Sequence, residues 1–286
     1  MNIQITSDTS CDLSKELLEK NNIKTIPIVV LLGDKELYDG VNVQVEDLFT
    51  YVQESKKLPK TAARSKEEYK EFFEQFTNNG STVVHIGLSS QLSVSYQNAV
   101  DAAKEIGEDK VFIVDSLSLS TGIGLLLLHA SELVRKGKTA KQIYEIETDR
   151  AKSVQASFVV DTLEYLYKNG RCSALAMFGA NLLKIHPSLQ LIEGKIVPTQ
   201  KYRGKMDMIL KKYIDDSLAK FSNPDTTRCF VTHSSADPSL VEEIVMYVQS
   251  KNIFKEVLVT VAGPTITSHC GKGTLGLLYI NDGGRR

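Results

Sequence analysis

Apolar positions along the first half of the chain switch repeatedly between the two-residue spacing of strands and the three-to-four-residue spacing of helices. The clearest case spans residues 82–104. Val83, Val84, Ile86 and Leu88 form a strand-like run, and Tyr96, Ala99, Val100 and Ala103 recur at helical spacing. Between them stand Ser89, Ser90, Gln91, Leu92 and Ser93, so several hydroxyls lie where a buried strand ends and a helix begins. Upstream, residues 3–6 predict a strand, 7–12 a polar loop, Leu17 and Leu18 a short helix, and 25–32 a second strand. Val45, Leu48, Phe49 and Val52 predict an amphipathic helix, as do Tyr69, Phe72, Phe73 and Phe76 behind a capping box at Ser65 and Glu68. The loop between them, 59–64, carries Thr61. Residues 111–114 predict a strand ending in Asp115-Ser116, and 120–134 an almost wholly apolar helix that must be buried.

A more polar helix near 139–152 and a strand at 156–160 complete this alternation, which argues for a parallel sheet covered by helices on both faces. Beyond about residue 155 the rhythm changes. Two short helical segments flank Gly170, and 188–192 and 195–200 are joined by Glu193-Gly194, the signature of a hairpin. A helix through Met206, Ile209, Leu210, Tyr213 and Ile214, a strand at 229–232, a helix near 240–248 and strands near 257–261 and 275–280 follow. The expected fold class is α/β, with residues 1–155 forming one domain and 156–286 a second, α+β domain.

With 286 residues, 42% of them hydrophobic, the chain can bury two cores. Its 34 Lys and Arg against 35 Asp and Glu give no bulk electrostatic reason to expect nucleic acid or an anionic membrane as partner. The cysteines, at 11, 172, 229 and 270, contain no Cys-x-x-Cys pair, which argues against zinc or a disulfide framework and for a reducing cytoplasm. The longest apolar stretch, near 123–130, is too short to span a bilayer, so no integral membrane segment is expected.

Several chemical motifs are incomplete. Gly87-Leu88-Ser89-Ser90-Gln91 lacks the closing glycine of a nucleophile elbow. Gly271-Lys272-Gly273-Thr274 lacks the spacing of a phosphate loop, and Gly122-Ile123-Gly124 lacks the third glycine of a dinucleotide fingerprint, so close packing explains those glycines better. The serines before the helix at residue 95 are either caps or the head-group site of an anionic ligand at the carboxyl ends of strands. None of the histidines has metal-ligand spacing. His85, His129 and His186 fit structural roles, whereas His269 lies in a segment rich in Gly, Ser and Thr, where backbone can approach a ligand closely.

Nine short motifs then follow one another in a telling order. They are Asp8-Thr9-Ser10, Tyr38-Asp39-Gly40, Lys60-Thr61, Ser89-Ser90-Gln91-Leu92-Ser93 leading to Tyr96-Gln97, and Asp115-Ser116. After these come Gly170-Arg171, Leu183-Lys184-Ile185-His186-Pro187, Tyr202-Arg203-Gly204 and His269-Cys270-Gly271-Lys272-Gly273. In this order the chain resembles the DegV family of bacterial fatty-acid-binding proteins, which includes the FakB subunits of fatty acid kinase. The resemblance implies an N-terminal Rossmann-like parallel-sheet sandwich and a C-terminal α+β domain with a mixed or antiparallel sheet, the acyl chain lying between or beneath them. It also implies that Thr61, Ser93, His269 and Arg171 hold a fatty acid carboxylate. Arg64, Ser89, Ser90, Ser95 and Lys272 would border the head group, and Arg203 would dock a kinase, with no catalytic residue, cofactor or metal. The family's Thr-Ser-Gln-Pro is here Thr61-Ala62-Ala63-Arg64, and its Leu-Ser-Gly-Thr-Tyr is Leu92-Ser93-Val94-Ser95-Tyr96. Lys272 stands for a usual proline and Asn169 for a usual glycine. Arg64 and Lys272 are expected to make the pocket mouth more positive.

The expected function is that of a non-catalytic carrier for a long-chain fatty acid, which presents the carboxylate to a separate fatty acid kinase for conversion to acyl phosphate. The alternative is a serine hydrolase acting on acyl esters through Ser93 and His269. The incomplete elbow and the lack of an orienting acid disfavour it. A lipid-responsive regulator lacks support from any DNA-binding helix or basic domain.

Overall fold

The computed structural model describes residues 2–172 and 185–285. In chain order its elements begin with β1 (Asn2–Asp8), a 3-10 turn (Thr9–Cys11), α1 (Lys15–Lys20), β2 (Ile23–Ile26), β3 (Val29–Leu32), β4 (Lys35–Tyr38), α2 (Val45–Ser55), β5 (Lys60–Ala62), α3 (Lys66–Thr77) and β6 (Ser81–Gly87). There follow α4 (Ser95–Ile106), β7 (Val111–Asp115), α5 (Thr121–Arg135), α6 (Ala140–Arg150), β8 (Val154–Val159), α7 (Glu164–Lys168), β9 (His186–Ile192) and β10 (Lys195–Tyr202). The last elements are α8 (Met206–Lys220), β11 (Arg228–His233), α9 (Pro238–Ser250), β12 (Glu256–Val261), α10 (Pro264–Cys270) and β13 (Leu275–Ile280).

Two sheets dominate. One is parallel, in the order β2-β1-β6-β7; the other is mixed, in the order β10-β9-β8-β13-β11-β12. The apolar helix α5 lies between them, packing on β1 and β6 of the first and on β8, β11 and β13 of the second. That position explains its composition, since a helix facing sheet on two sides has little face left for charge, and its charged residues, Glu132 and Arg135, are confined to its last turn. Its leucines join Ile5, Val84 and Ile86 from one sheet and Phe158, Phe230 and Leu278 from the other in a single apolar cluster. A Cβ on Gly124 would stand 2.7 Å from Leu13 Cδ2, so the glycine serves close packing. The outer face of the first sheet is covered by Tyr69, Phe72 and Phe73 of α3 and Ala99 and Ala102 of α4. Ile209 and Tyr213 of α8 and Ile244 of α9 cover the second.

The α/β class and the two kinds of sheet agree with expectation, and so do the capping box at Ser65 and Glu68 and the β9–β10 hairpin. Glu193 and Gly194 both take positive φ, 49° and 79°, as a two-residue primed turn requires. Residues 25–32 do not form one strand. Pro27 lacks the N–H to continue the ladder, and the segment divides into β2 of the parallel sheet and β3 of a small antiparallel sheet, β4-β3-β5. The stretch 59–64, expected as a loop, supplies β5 of that sheet, with Thr61 opposite Val30. His269 lies in a helix, not in an irregular segment. The second helical segment expected near Gly170, and Leu183-Lys184, lie outside the described residues. Among the described residues no helix is long and apolar enough to cross a membrane.

Candidate functional site

In the parallel sheet the chain moves outward from β1 to β2 on one side and from β6 to β7 on the other, so the strand order reverses between β1 and β6. A crevice opens at the carboxyl ends of the strands at such a point. There β1 ends in Asp8 and β6 in Gly87. Asp8 is fully buried and accepts the Leu88 and Ser10 N–H groups at 3.1 and 3.0 Å as well as the Ser10 hydroxyl. Burial raises its pKa despite these bonds.

The hydroxyls of the following loop have different uses. Ser89 donates to the Gly194 carbonyl at 2.9 Å, fastening the tip of the β9–β10 hairpin, and its N–H reaches Ser118 at 3.0 Å. The Ser90 N–H donates to Asp115 at 3.2 Å. Ser93 Oγ lies 2.9 Å from Ser95 Oγ and accepts the Ser95 N–H at 3.1 Å.

His269 arrives on α10, a short helix whose N-cap, Gly263, has no side chain to satisfy the first N–H groups. Two buried carboxylates from elsewhere do so. Asp12 accepts the Gly263 N–H at 2.8 Å and the Ser120 hydroxyl. Asp39 accepts the Thr265 N–H at 3.2 Å and the Thr9 hydroxyl at 3.0 Å. Burial raises the pKa of both. At the other end of the helix, the Asn169 amide donates to Ser268 O at 2.8 Å and Pro59 O at 3.3 Å, tying α10 to the approach to β5.

These ties bring His269 Nε2 to 2.8 Å from Thr61 Oγ1. Burial, and after it the nearby charge of Arg171, pushes the imidazole down to about 4, so it is neutral at pH 7. Its Nδ1 is buried and has no partner among the described residues. Arg171 Nη1 donates to Asn169 O at 2.8 Å.

Thr61, Ser93, Arg171 and His269 all line one cavity, whose other walls include Leu88, Leu92, Leu119, Phe158, Ile196 and Leu278. The arrangement suits a long apolar ligand with one anionic, hydrogen-bonding end. Arg64, Ser89, Ser90, Ser95, Lys272 and Arg203 are not among its lining residues. Arg64 stacks on Tyr38, Lys272 Nζ lies 5.8 Å from the Phe49 ring centre, and Arg203 is exposed at the end of β10. The geometry does not favour a hydrolase: His269 Nε2 faces Thr61, Ser93 faces Ser95, and among the described residues no carboxylate orients His269 Nδ1. Sequence reasoning missed the roles of Asp12, Asp39 and Asn169. Asp39 stood inside a recognised motif and Asn169 stood in place of a usual glycine, the signals available for them.

A family model described as "Uncharacterised protein, DegV family" matches residues 2–282. A "Fatty acid-binding protein" of Thermotoga maritima is 30% identical over 285 residues, covering 96% of each chain. Among solved structures, the fatty-acid-binding DegV family protein of Thermus thermophilus is similar with a TM-score of 0.91 at 25% identity, covering 99% of this chain and 100% of the other. DegV of Bacillus subtilis, described as a fatty acid binding protein, is similar with a TM-score of 0.86 at 25% identity, covering 99% and 100%.

Proposed function

This chain belongs to the DegV family, and from that premise we propose that it carries one long-chain fatty acid, its acyl chain in the cavity and its carboxylate held by Thr61, Ser93, Arg171 and His269. The supporting observation is that these four side chains, drawn from distant parts of the chain, meet in a cavity whose remaining walls are largely apolar. Burial supplies the affinity. At roughly 0.8 kcal/mol per methylene, a sixteen-carbon chain gains on the order of 10 kcal/mol before association costs. The polar end sets orientation: Arg171 supplies the cation, and a neutral His269 supplies a ring N–H donor without a second charge.

The carboxylate is presented to a separate fatty acid kinase. One carboxylate oxygen attacks the γ-phosphorus of the kinase's nucleotide, the bond to the nucleoside diphosphate breaks, and an acyl phosphate forms. The chain's incomplete phosphate-loop pattern and the exposed Arg203, within the lysine-rich stretch 195–212, support this division of labour. All four cysteines are free and buried, which supports a cytoplasmic location.

Carrying is tested by denaturing protein purified from cells and identifying extracted lipid by mass spectrometry, followed by titration of the emptied protein with fatty acids. One equivalent of fatty acid is expected. Protein that is empty as purified and also rejects added fatty acid overturns the reading.

A further inference from the structure

We propose that His233 is a second polar contact in the cavity and that it receives a hydroxyl borne by the acyl chain, so that the favoured ligand is a fatty acid hydroxylated within its chain; this rests on the acyl-carrier reading. Besides Thr61, Ser93, Arg171 and His269, the lining carries further polar side chains, and nearly all of them are committed to the protein. The Ser120 hydroxyl donates to Asp12. Thr232 Oγ1 lies 2.6 Å from Thr121 Oγ1 and 3.0 Å from Thr260 Oγ1, and Ser234 Oγ lies 2.9 Å from Thr267 Oγ1. The Thr274 hydroxyl donates to Cys270 O at 2.9 Å, and the Thr265 hydroxyl is enclosed beside Asp39. His233 stands apart. Among the described residues neither a hydrogen bond nor a nearby charge acts on its imidazole, and burial alone lowers its pKa, which leaves it neutral at pH 7. Its Nδ1 is enclosed, whereas the residue as a whole is only half-buried, so the nitrogen open to the cavity is Nε2.

The ring is carried on fixed backbone. His233 ends β11, and its carbonyl accepts the Ala262 N–H at 2.8 Å, just ahead of α10. On its other side the Ser234 N–H donates to Thr274 O at 2.9 Å, and the Ser234 carbonyl accepts the Gly273 N–H at 2.7 Å. His233 therefore flanks the start of α10, and His269 stands in its last turn, roughly 9 Å further along the helix axis. An acyl chain whose carboxylate is held at His269 meets His233 with its methylenes, not with its head group. Methylenes laid over Nε2 strip its water and return no hydrogen bond, which is unfavourable. A hydroxyl at that level of the chain both donates and accepts, and so pairs with either tautomer of a neutral imidazole.

The test compares octadecanoate with its 3-, 6-, 8-, 10- and 12-hydroxy derivatives as displacers of a fluorescent fatty acid from wild type, His233→Leu and His233→Gln. On wild type one hydroxy isomer, or two neighbouring ones, should bind roughly tenfold more tightly than octadecanoate, and the others no better than it. His233→Leu should weaken the favoured isomer roughly tenfold more than it weakens octadecanoate, while His233→Gln, whose amide keeps a donor and an acceptor, retains part of the preference. A wild type that ranks no hydroxy isomer ahead of octadecanoate, or a preference that survives His233→Leu, overturns the proposal and leaves the carrier reading standing. Rejection of octadecanoate and of every hydroxy acid strikes the carrier reading itself. Should His233→Leu fail to fold, the wild-type ranking and the reduced preference of His233→Gln still decide.

Discussion

The Thr61 hydroxyl and the His269 imidazole stand 2.8 Å apart although 208 positions separate them in the chain. One comes from the edge of a three-stranded sheet and the other from the last turn of a helix capped by distant carboxylates. Their meeting defines the polar end of the cavity, and the first prediction concerns it.

Thr61→Val removes the hydroxyl at nearly constant volume. Fatty acid affinity should fall about tenfold, the worth of a hydrogen bond to a charged group, while a long-chain alcohol of the same length is affected less. Displacement of a fluorescent fatty acid measures both. Equal losses for acid and alcohol would mean that the hydroxyl supports the cavity wall and not the carboxylate.

The buried histidines should cost the unliganded protein stability on acidification. Burial holds His269 at about 4 and His85 at about 3, against an ordinary 6.5, so between these values the unfolded chain binds protons that the folded state refuses. Their contribution is complete above pH 6.5 and is lost as pH falls from 6.5 toward 4. The raised carboxylates Asp8, Asp12 and Asp39 act in the opposite sense, being stabilised when protonated. Comparing denaturant unfolding of wild type and His269→Gln across pH 7.5 to 4.5 removes that common background; the stability of wild type relative to the variant should fall as the pH falls from 6.5 toward 4.5.

Asp39→Ala leaves the Thr265 N–H and the Thr9 hydroxyl without their acceptor. Unfolding in urea should show a loss of about 1–3 kcal/mol, and ligand affinity should drop with it because α10 carries His269. Unchanged affinity in a destabilised variant would separate the cap from the site.

Gly194→Ala places a side chain at φ +79° and against the Ser89 hydroxyl. The left-handed conformation alone costs roughly 1–2 kcal/mol. Because Ile196, two residues on, lines the cavity, undocking the hairpin tip should speed release of bound fatty acid in stopped-flow displacement. Ser89→Ala should speed release with a smaller loss of stability.

Arg203→Ala should spare fatty acid binding and lower acyl phosphate formation when a fatty acid kinase and nucleotide are supplied. Joint loss of binding and phosphorylation would assign Arg203 to folding instead.

Much of this was legible in the chain itself. The alternation of periods two and 3.6 specified the strands and helices of the parallel sheet. The near-continuous apolar run of α5 announced burial on all sides, and Glu193-Gly194 announced its turn, because each of these signals is local. The resemblance carried by nine ordered motifs named Thr61, Ser93, Arg171 and His269. Tertiary structure alone decided the rest. It sent the two halves of residues 25–32 to different sheets, made Lys60–Ala62 a strand by pairing it with β3, and turned the segment around His269 into a helix by giving Asp12 and Asp39 to its open N–H groups. It also gave the Ser89 hydroxyl to Gly194 and the Asn169 amide to Ser268 and Pro59. The reason is physical: hydrophobic period is written over neighbouring residues, whereas a polar group's partner is chosen by whichever donor or acceptor the packed layers bring within 3 Å or so, and no local spacing encodes that choice.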